Sequence, residues 1–178
     1  MKVIVVYNGK TGFTEKYAGY IAKELACEAV SIKEMTRAKR EESDVIIYGG
    51  SVMAGMIRGL DKAKESLLNG NKTAIVFAVG ATDRASADVI EKIKNTNLSP
   101  EEQDRIRFFY LQGGINYEKQ GFISKIMLRA MYKSLKNKAD ITAEETGMME
   151  VLEKSADKTD IEYIRPLVEY VRNCCQSG

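Results

Sequence analysis

The residues best suited to chemistry stand together near the N-terminus: Asn8-Gly9-Lys10-Thr11-Gly12-Phe13-Thr14. Threonine hydroxyls, a lysine and glycines that let the backbone come close are what a phosphate needs. An apolar run, Val3-Ile4-Val5-Val6-Tyr7, precedes them, and Tyr17, Ala18, Ile21, Ala22 and Leu25 follow at helical spacing. A buried strand therefore delivers the loop and a helix receives it, as in half of a βαβ unit. The first turn of a helix leaves N–H groups without partners and carries the positive end of the dipole, so an anion is stabilised there. Two phosphate loops are excluded. The P-loop G-x-x-x-x-G-K-[ST] requires glycine where this chain has Ile4, inside the strand. The dinucleotide fingerprint G-x-G-x-x-G fails because Gly9 and Gly12 are wrongly spaced and Thr11 fills a glycine position. Taken alone, the loop also fits a solvent-facing turn before a capped helix.

Other chemistry is narrowed by what the chain lacks. It contains no histidine, which removes Ser-His-Asp and Cys-His catalysis and imidazole metal sites. Cys27, Cys174 and Cys175 have no C-x-x-C spacing and are odd in number, so they read as free thiols of a reducing compartment. Reactive atoms, if there are any, belong to a cofactor. A net charge of +2 argues against wholesale nucleic-acid binding. No apolar run approaches the roughly 20 residues that span a bilayer, and the opening Met-Lys-Val-Ile-Val-Val stops at Asn8 with no cleavage site after it. The expectation is one cytoplasmic domain of 178 residues.

The elements that must position the loop follow in order. Strands are expected at Glu28–Ile32, Asp44–Tyr48, Thr73–Val79 and Arg107–Leu111, with a surface connection over Lys33–Glu42. Helices are expected at about Ile57–Leu68, Ser86–Asn95 and Asp160–Asn173, and Ser99-Pro100-Glu101-Glu102 opens another. Alternating strands and helices predict an α/β doubly wound parallel sheet of five strands, order 2-1-3-4-5, with ligands beyond the strands' carboxyl ends at the β1/β3 switch point. Polar, glycine-bearing loops fall at that edge: Asn8–Thr14, Gly49–Gly55, Gly80–Asp83 and Gln112–Gly114.

Lys10-Thr11-Gly12-Phe13-Thr14-Glu15 resembles the T-G-x-T-E core of the flavodoxin phosphate loop, and with the Gly-Ser loop and the strand pattern the resemblance covers most of the chain. It implies FMN. Its phosphate would lie on Lys10, Thr11, Gly12, Phe13 and Thr14, held by backbone N–H groups and threonine hydroxyls. Ser51, Val52, Met53, Ala54 and Gly55 would flank one side of the isoalloxazine ring, and Gly80, Ala81, Thr82 and Asp83 the other. The departures are Gly9, where the family carries Ser or Thr, and the absence of Trp. Lys10 could offset the lost hydroxyl, and Met53 or Tyr117 could replace the stacking ring. No residue is assigned as a catalytic acid or base.

Between the fifth strand and the last helix lies an insert, about residues 113–158. After Gly113-Gly114 it carries a helix, Phe122–Lys136, with Ile123, Ile126, Met127, Ala130 and Met131 on one face and Lys125, Arg129, Lys133 and Lys136 on another. An acidic stretch follows, with Asp140, Glu144, Glu145, Glu150, Glu153 and Asp157. This layout is similar to the flavodoxin-like, menaquinone-dependent protoporphyrinogen oxidase branch, which implies oxidation of a porphyrinogen through FMN with electrons passed to a quinone at the inner membrane face. The basic helix suits anionic lipid, a carboxylated ligand or an acidic redox partner. Equally, its cations could be solvated or paired with the acidic half of the insert. Two readings rival the flavin one. A response-regulator-like domain needs acids at the ends of strands one and three, where this chain has Tyr7-Asn8 and Tyr48-Gly49. An interaction module that has lost flavin stays open.

Overall fold

The strands are almost wholly apolar because both faces of the sheet are covered. In the computed structural model, which describes residues 1–116, 119, 122–138, 140–142, 145–146, 149 and 155–176 and omits the side chains at 122–125, 127, 175 and 176, β1 (Val3–Asn8) leads to α1 (Phe13–Glu24) and β2 (Glu28–Ser31). Next come α2 (Arg37–Glu42), β3 (Val45–Met53), β4 (Met56–Ile57) and α3 (Leu60–Leu68). Then follow β5 (Thr73–Gly80), α4 (Ala87–Asn97), α5 (Pro100–Arg105) and β6 (Ile106–Gln112). The chain continues through β7 (Gly114–Ile115), α6 (Phe122–Lys136) and β8 (Ala156–Asp157). A 3-10 turn (Ile161–Ile164) opens the final helix, α7 (Arg165–Gln176).

The sheet runs β2-β1-β3-β5-β6, all parallel, with β4 antiparallel on β3. Setting aside the two-residue β4, this is the expected 2-1-3-4-5 order. Alternation along the strands splits the core. Val5, Ile47, Ile75 and Phe77 face α1 and α7, meeting Tyr17, Ile21, Leu167 and Val171. Ile4, Val6, Ile46, Tyr48 and Val76 face the other way, meeting Leu60, Leu67 and Ile93.

Three boundaries differ from the sequence reading. The stretch Lys33–Glu42 contains α2, capped by Thr36 Oγ1, which accepts from the Lys39 N–H at 3.2 Å. None of its residues is buried, so it carries no apolar period to read. The third strand does not stop at its glycines but runs to Met53 and returns as β4. Ala54 and Gly55, at φ 50° and 79°, form the two-residue turn, and positive φ at both central positions matches the twist of a hairpin. The expected helix therefore starts at Leu60 rather than Ile57, which pairs with Val52 in the hairpin. Gly49 is required by packing: a Cβ there would stand 2.0 Å from Phe77 Cζ.

Ser99–Glu102 opens α5 as expected, and Ser99 and Glu102 form a reciprocal capping box, each side chain accepting from the other's backbone N–H. The insert leaves the sheet through β7 and returns through β8, paired antiparallel as Gly114↔Asp157 and Ile115↔Ala156. Its helix α6 forms where expected. The face turned inward, however, is Leu128, Tyr132 and Leu135, which pack on Ile115, Ala81 and Ala156. Ile126 and Met131 are 51% and 43% exposed, and Ala130 is exposed as well. No helix among the described residues is long and apolar enough to cross a membrane.

Candidate functional site

Register brings the loops to one edge. Asn8 at the end of β1 pairs with Gly50, Ser51 of β3 with Val79, and Gly80 of β5 with Gln112. The chain leaves β1 and β3 in opposite directions across the sheet, so a crevice opens between their ends.

In the first loop Gly12 stands in the left-handed region at φ 95° and precedes α1 without any side-chain cap. The first bond of the helix runs from the Lys16 N–H to the Gly12 carbonyl at 2.9 Å. The earlier N–H groups of the first turn, from Phe13 to Glu15, thus stay open to an anion. The left-handed glycine and the uncapped turn form a cradle that fits a phosphate. Thr11 and Gly12 are half-buried and Lys10 is exposed. Thr14 is only 1% exposed and lies against Gly9. The Phe13 ring belongs to the core on the α1 side, so this residue offers the loop its N–H alone. The hydroxyl residue that the flavodoxin resemblance would place at position 9 is opposed by geometry: a Cβ on Gly9 would come within 2.8 Å of both Cβ and Oγ1 of Thr14.

The second loop is the tip of the β3–β4 hairpin. Val52 packs into the core beside α3 and α4. Met53 and its cross-strand partner Met56 are largely exposed. The hairpin is held from below by Asn97 of α4, a buried residue. Its Oδ1 accepts from the Ile57 N–H at 2.8 Å, and its Nδ2 donates to the carbonyls of Gly55 and Ile93, each at 2.7 Å.

The third loop is built on Tyr110, whose hydroxyl donates to the Thr82 carbonyl at 3.0 Å and lies 2.7 Å from where a Cβ on Gly80 would be. Burial pushes this phenol up to about 12. Asp83 folds its own turn, its Oδ1 accepting from the Ala85 N–H at 2.8 Å. Arg84 lies over the Tyr163 ring, 4.2 Å from its centre. Ala81 is covered by α6. The fourth loop is fastened by Tyr17, whose hydroxyl donates to the Gln112 carbonyl at 2.5 Å and accepts from the Asp160 N–H at 3.2 Å. Burial, the largest influence, raises the Tyr17 phenol. The other stacking candidate, Tyr117, lies outside the described residues.

Three residues at this edge carry no local signal in the sequence. Asn97 reads as an ordinary helix residue until the hairpin is placed above it. Arg58 donates from Nε to Asn8 Oδ1 at 3.1 Å, at the start of the first loop. Lys119 Nζ lies 3.6 Å from the point where a Cβ on Gly12 would stand. Among the described residues no group of His, Cys, Asp or Glu could hold a metal ion. Burial pushes the Cys27 thiol up to about 11, which leaves it a poor nucleophile.

The family model described as a flavodoxin domain matches residues 4–142. Among solved structures, the chain is similar to a flavodoxin from the domain Archaea at 15% identity and TM-score 0.43, covering 86% of this chain and 97% of that one. It is similar to a putative flavoprotein from Bacteroides uniformis at 21% identity and TM-score 0.44, covering 69% and 97%. Flavodoxin 2 from Bacillus cereus matches at 18% identity and TM-score 0.41, covering 63% and 84%. No curated protein matches the chain.

Proposed function

The chain belongs to the flavodoxin domain family, and from that premise we propose that it is an FMN-dependent redox protein whose cofactor lies across the β1/β3 crevice. The observation that carries this reading is the uncapped first turn of α1 behind a left-handed Gly12, with two more loops opening at the same sheet edge. FMN, when bound, supplies the centre that accepts and donates electrons or hydride. The chain's own work is to bind, orient and shield it. Lys10, Thr11, Gly12, Phe13 and Thr14 hold the phosphate, Phe13 through its N–H. Ser51, Val52, Met53, Ala54 and Gly55 flank one side of the ring, Val52 through its backbone because its side chain is committed to the core. Gly80, Ala81, Thr82 and Asp83 flank the other. The carboxylate of Asp83 is tied to the Ala85 N–H, which fixes where its negative charge stands.

Substrate oxidation, rather than electron carriage alone, is supported by α6 leaning on Ala81 through Leu128, Tyr132 and Leu135. An electron carrier needs an exposed ring edge; an oxidase needs a wall beside the ring. The layout favours a protoporphyrinogen-oxidase-like reaction, with a porphyrinogen as donor and a quinone or redox protein as acceptor. The exposed cations Arg129, Lys133 and Lys136 on α6 suit an anionic partner or lipid surface at the cytoplasmic side.

The test is a fluorescence titration of purified protein with FMN. Yellow protein, or quenching of added FMN that is weakened in Thr11→Leu, is expected. Colourless protein that ignores added FMN overturns the reading and leaves a flavodoxin-like module without flavin. Unchanged affinity in Thr11→Leu would seat the ligand elsewhere.

A further inference from the structure

We propose that Lys119, delivered by the insert, is a second cationic ligand of the flavin phosphate beside Lys10 and gives the site its preference for FMN over the phosphate-free riboflavin. This rests on the FMN reading above. Just after β7, Asn116 Oδ1 accepts from the Lys119 N–H at 3.2 Å. The Lys119 side chain reaches the first loop at Gly12. Apart from Gly12's own chain neighbours, Nζ is the sole described atom within 4 Å of the point where a Cβ on Gly12 would stand. The ammonium thus stands beside Gly12, the residue that leads into the phosphate cradle.

The surrounding charges single it out. Lys16, one turn into α1, is engaged by Asp157 at 2.8 Å. Glu15 accepts from the Tyr7 hydroxyl at 3.3 Å. Lys10 is exposed at the front of the loop. Lys119 makes no ion pair among the described residues. A phosphate seated on the open N–H groups of α1 would have the Lys119 ammonium on the Gly12 side of the loop and Lys10 at its front. A charge-assisted bond there also offsets the hydroxyl that the family carries at position 9 and that Thr14 excludes here.

The experiment measures dissociation constants for FMN and for riboflavin, at low and high salt, in the wild type, Lys119→Gln, Lys119→Arg and Lys10→Gln. Lys119→Gln is expected to weaken FMN roughly tenfold, the scale of one lost charge-assisted bond, and to leave riboflavin unchanged. The salt dependence of FMN binding should fall in the same variant, while Lys119→Arg keeps most of the preference. A wild type that binds neither flavin overturns the FMN reading itself. A wild type that binds FMN, with Lys119→Gln showing the same FMN-to-riboflavin ratio or weakening both ligands equally, overturns the role of Lys119. So does a ratio that moves in Lys10→Gln but not in Lys119→Gln.

Discussion

Lys16 and Asp157, 141 positions apart in the sequence, form an ion pair of 2.8 Å between the first turn of α1 and the returning strand of the insert. It joins the proposed phosphate site to the point where the insert comes back to the sheet.

The pair sets a pH dependence. Burial raises the Asp157 carboxyl, but the bonds from Lys16 and Thr159 outweigh it and hold the group below its ordinary value. The stability it contributes is present above the unfolded carboxyl's pKa and is lost as pH falls through the lowered one. The bond to Asp157 raises Lys16, so its share is present below the ordinary amine value and is lost as pH rises through the raised one. Both side chains are partly exposed, so Asp157→Asn should cost less than about 1 kcal/mol at neutral pH. Urea denaturation as a function of pH checks this: the variant should lose less stability than the wild type on acidification.

Asn97 should matter far more than its position near the end of a helix suggests. Asn97→Leu removes three bonds and leaves the Ile57 N–H and the Gly55 carbonyl without their partner. The expected loss is about 2–3 kcal/mol, or several degrees in Tm. Amide exchange at Ile57 should speed up more than exchange in β1. Equal acceleration throughout would mean that Asn97 supports the whole fold rather than the hairpin.

Gly49→Ala tests a contact between neighbouring strands. The added methyl would stand 2.0 Å from Cζ and 2.5 Å from both Cε atoms of the fully buried Phe77 ring. Overpacking of this kind costs on the order of 3 kcal/mol. Phe77→Leu in the same chain should recover part of that loss, giving a coupling energy in a double-mutant cycle. Strictly additive effects would show that the ring relaxes elsewhere.

The outward face of α6 predicts salt-sensitive attachment to anionic vesicles. Ile126 and Met131 are exposed beside Arg129, Lys133 and Lys136. Each basic residue near an anionic surface contributes about 1 kcal/mol. Flotation should show binding at low salt that disappears at high salt and in the triple variant Arg129→Gln, Lys133→Gln, Lys136→Gln. No attachment at low salt would leave those cations to a soluble anionic partner.

The sheet order was legible because buried parallel strands are apolar end to end and their loops are rich in glycine; β1, β5 and β6 appear within a residue or so of where composition places them, and β3 starts there but overruns its glycines. The helix α6 was legible too, but not its orientation. Ile126 and Met131 look like core residues by type, yet Leu128 and Tyr132 are the ones that meet Ile115. A helix with apolar residues on most sides does not reveal which side a distant surface will take. The hairpin was hidden because Ala54 holds a positive φ more typical of Gly or Asn. Lys119 and Asn97 were hidden for another reason: each acts on a loop dozens of residues away, and no local pattern records that meeting.

The antiparallel pairing of β7 with β8 sets the two ends of the insert side by side. The backbone spacing at the sheet is therefore the same however much chain hangs beyond it, and doubling that length costs only about 0.6 kcal/mol of closure entropy. The junction behaves as a socket: one excursion can be exchanged for another of different reach and charge while the five principal strands keep their places.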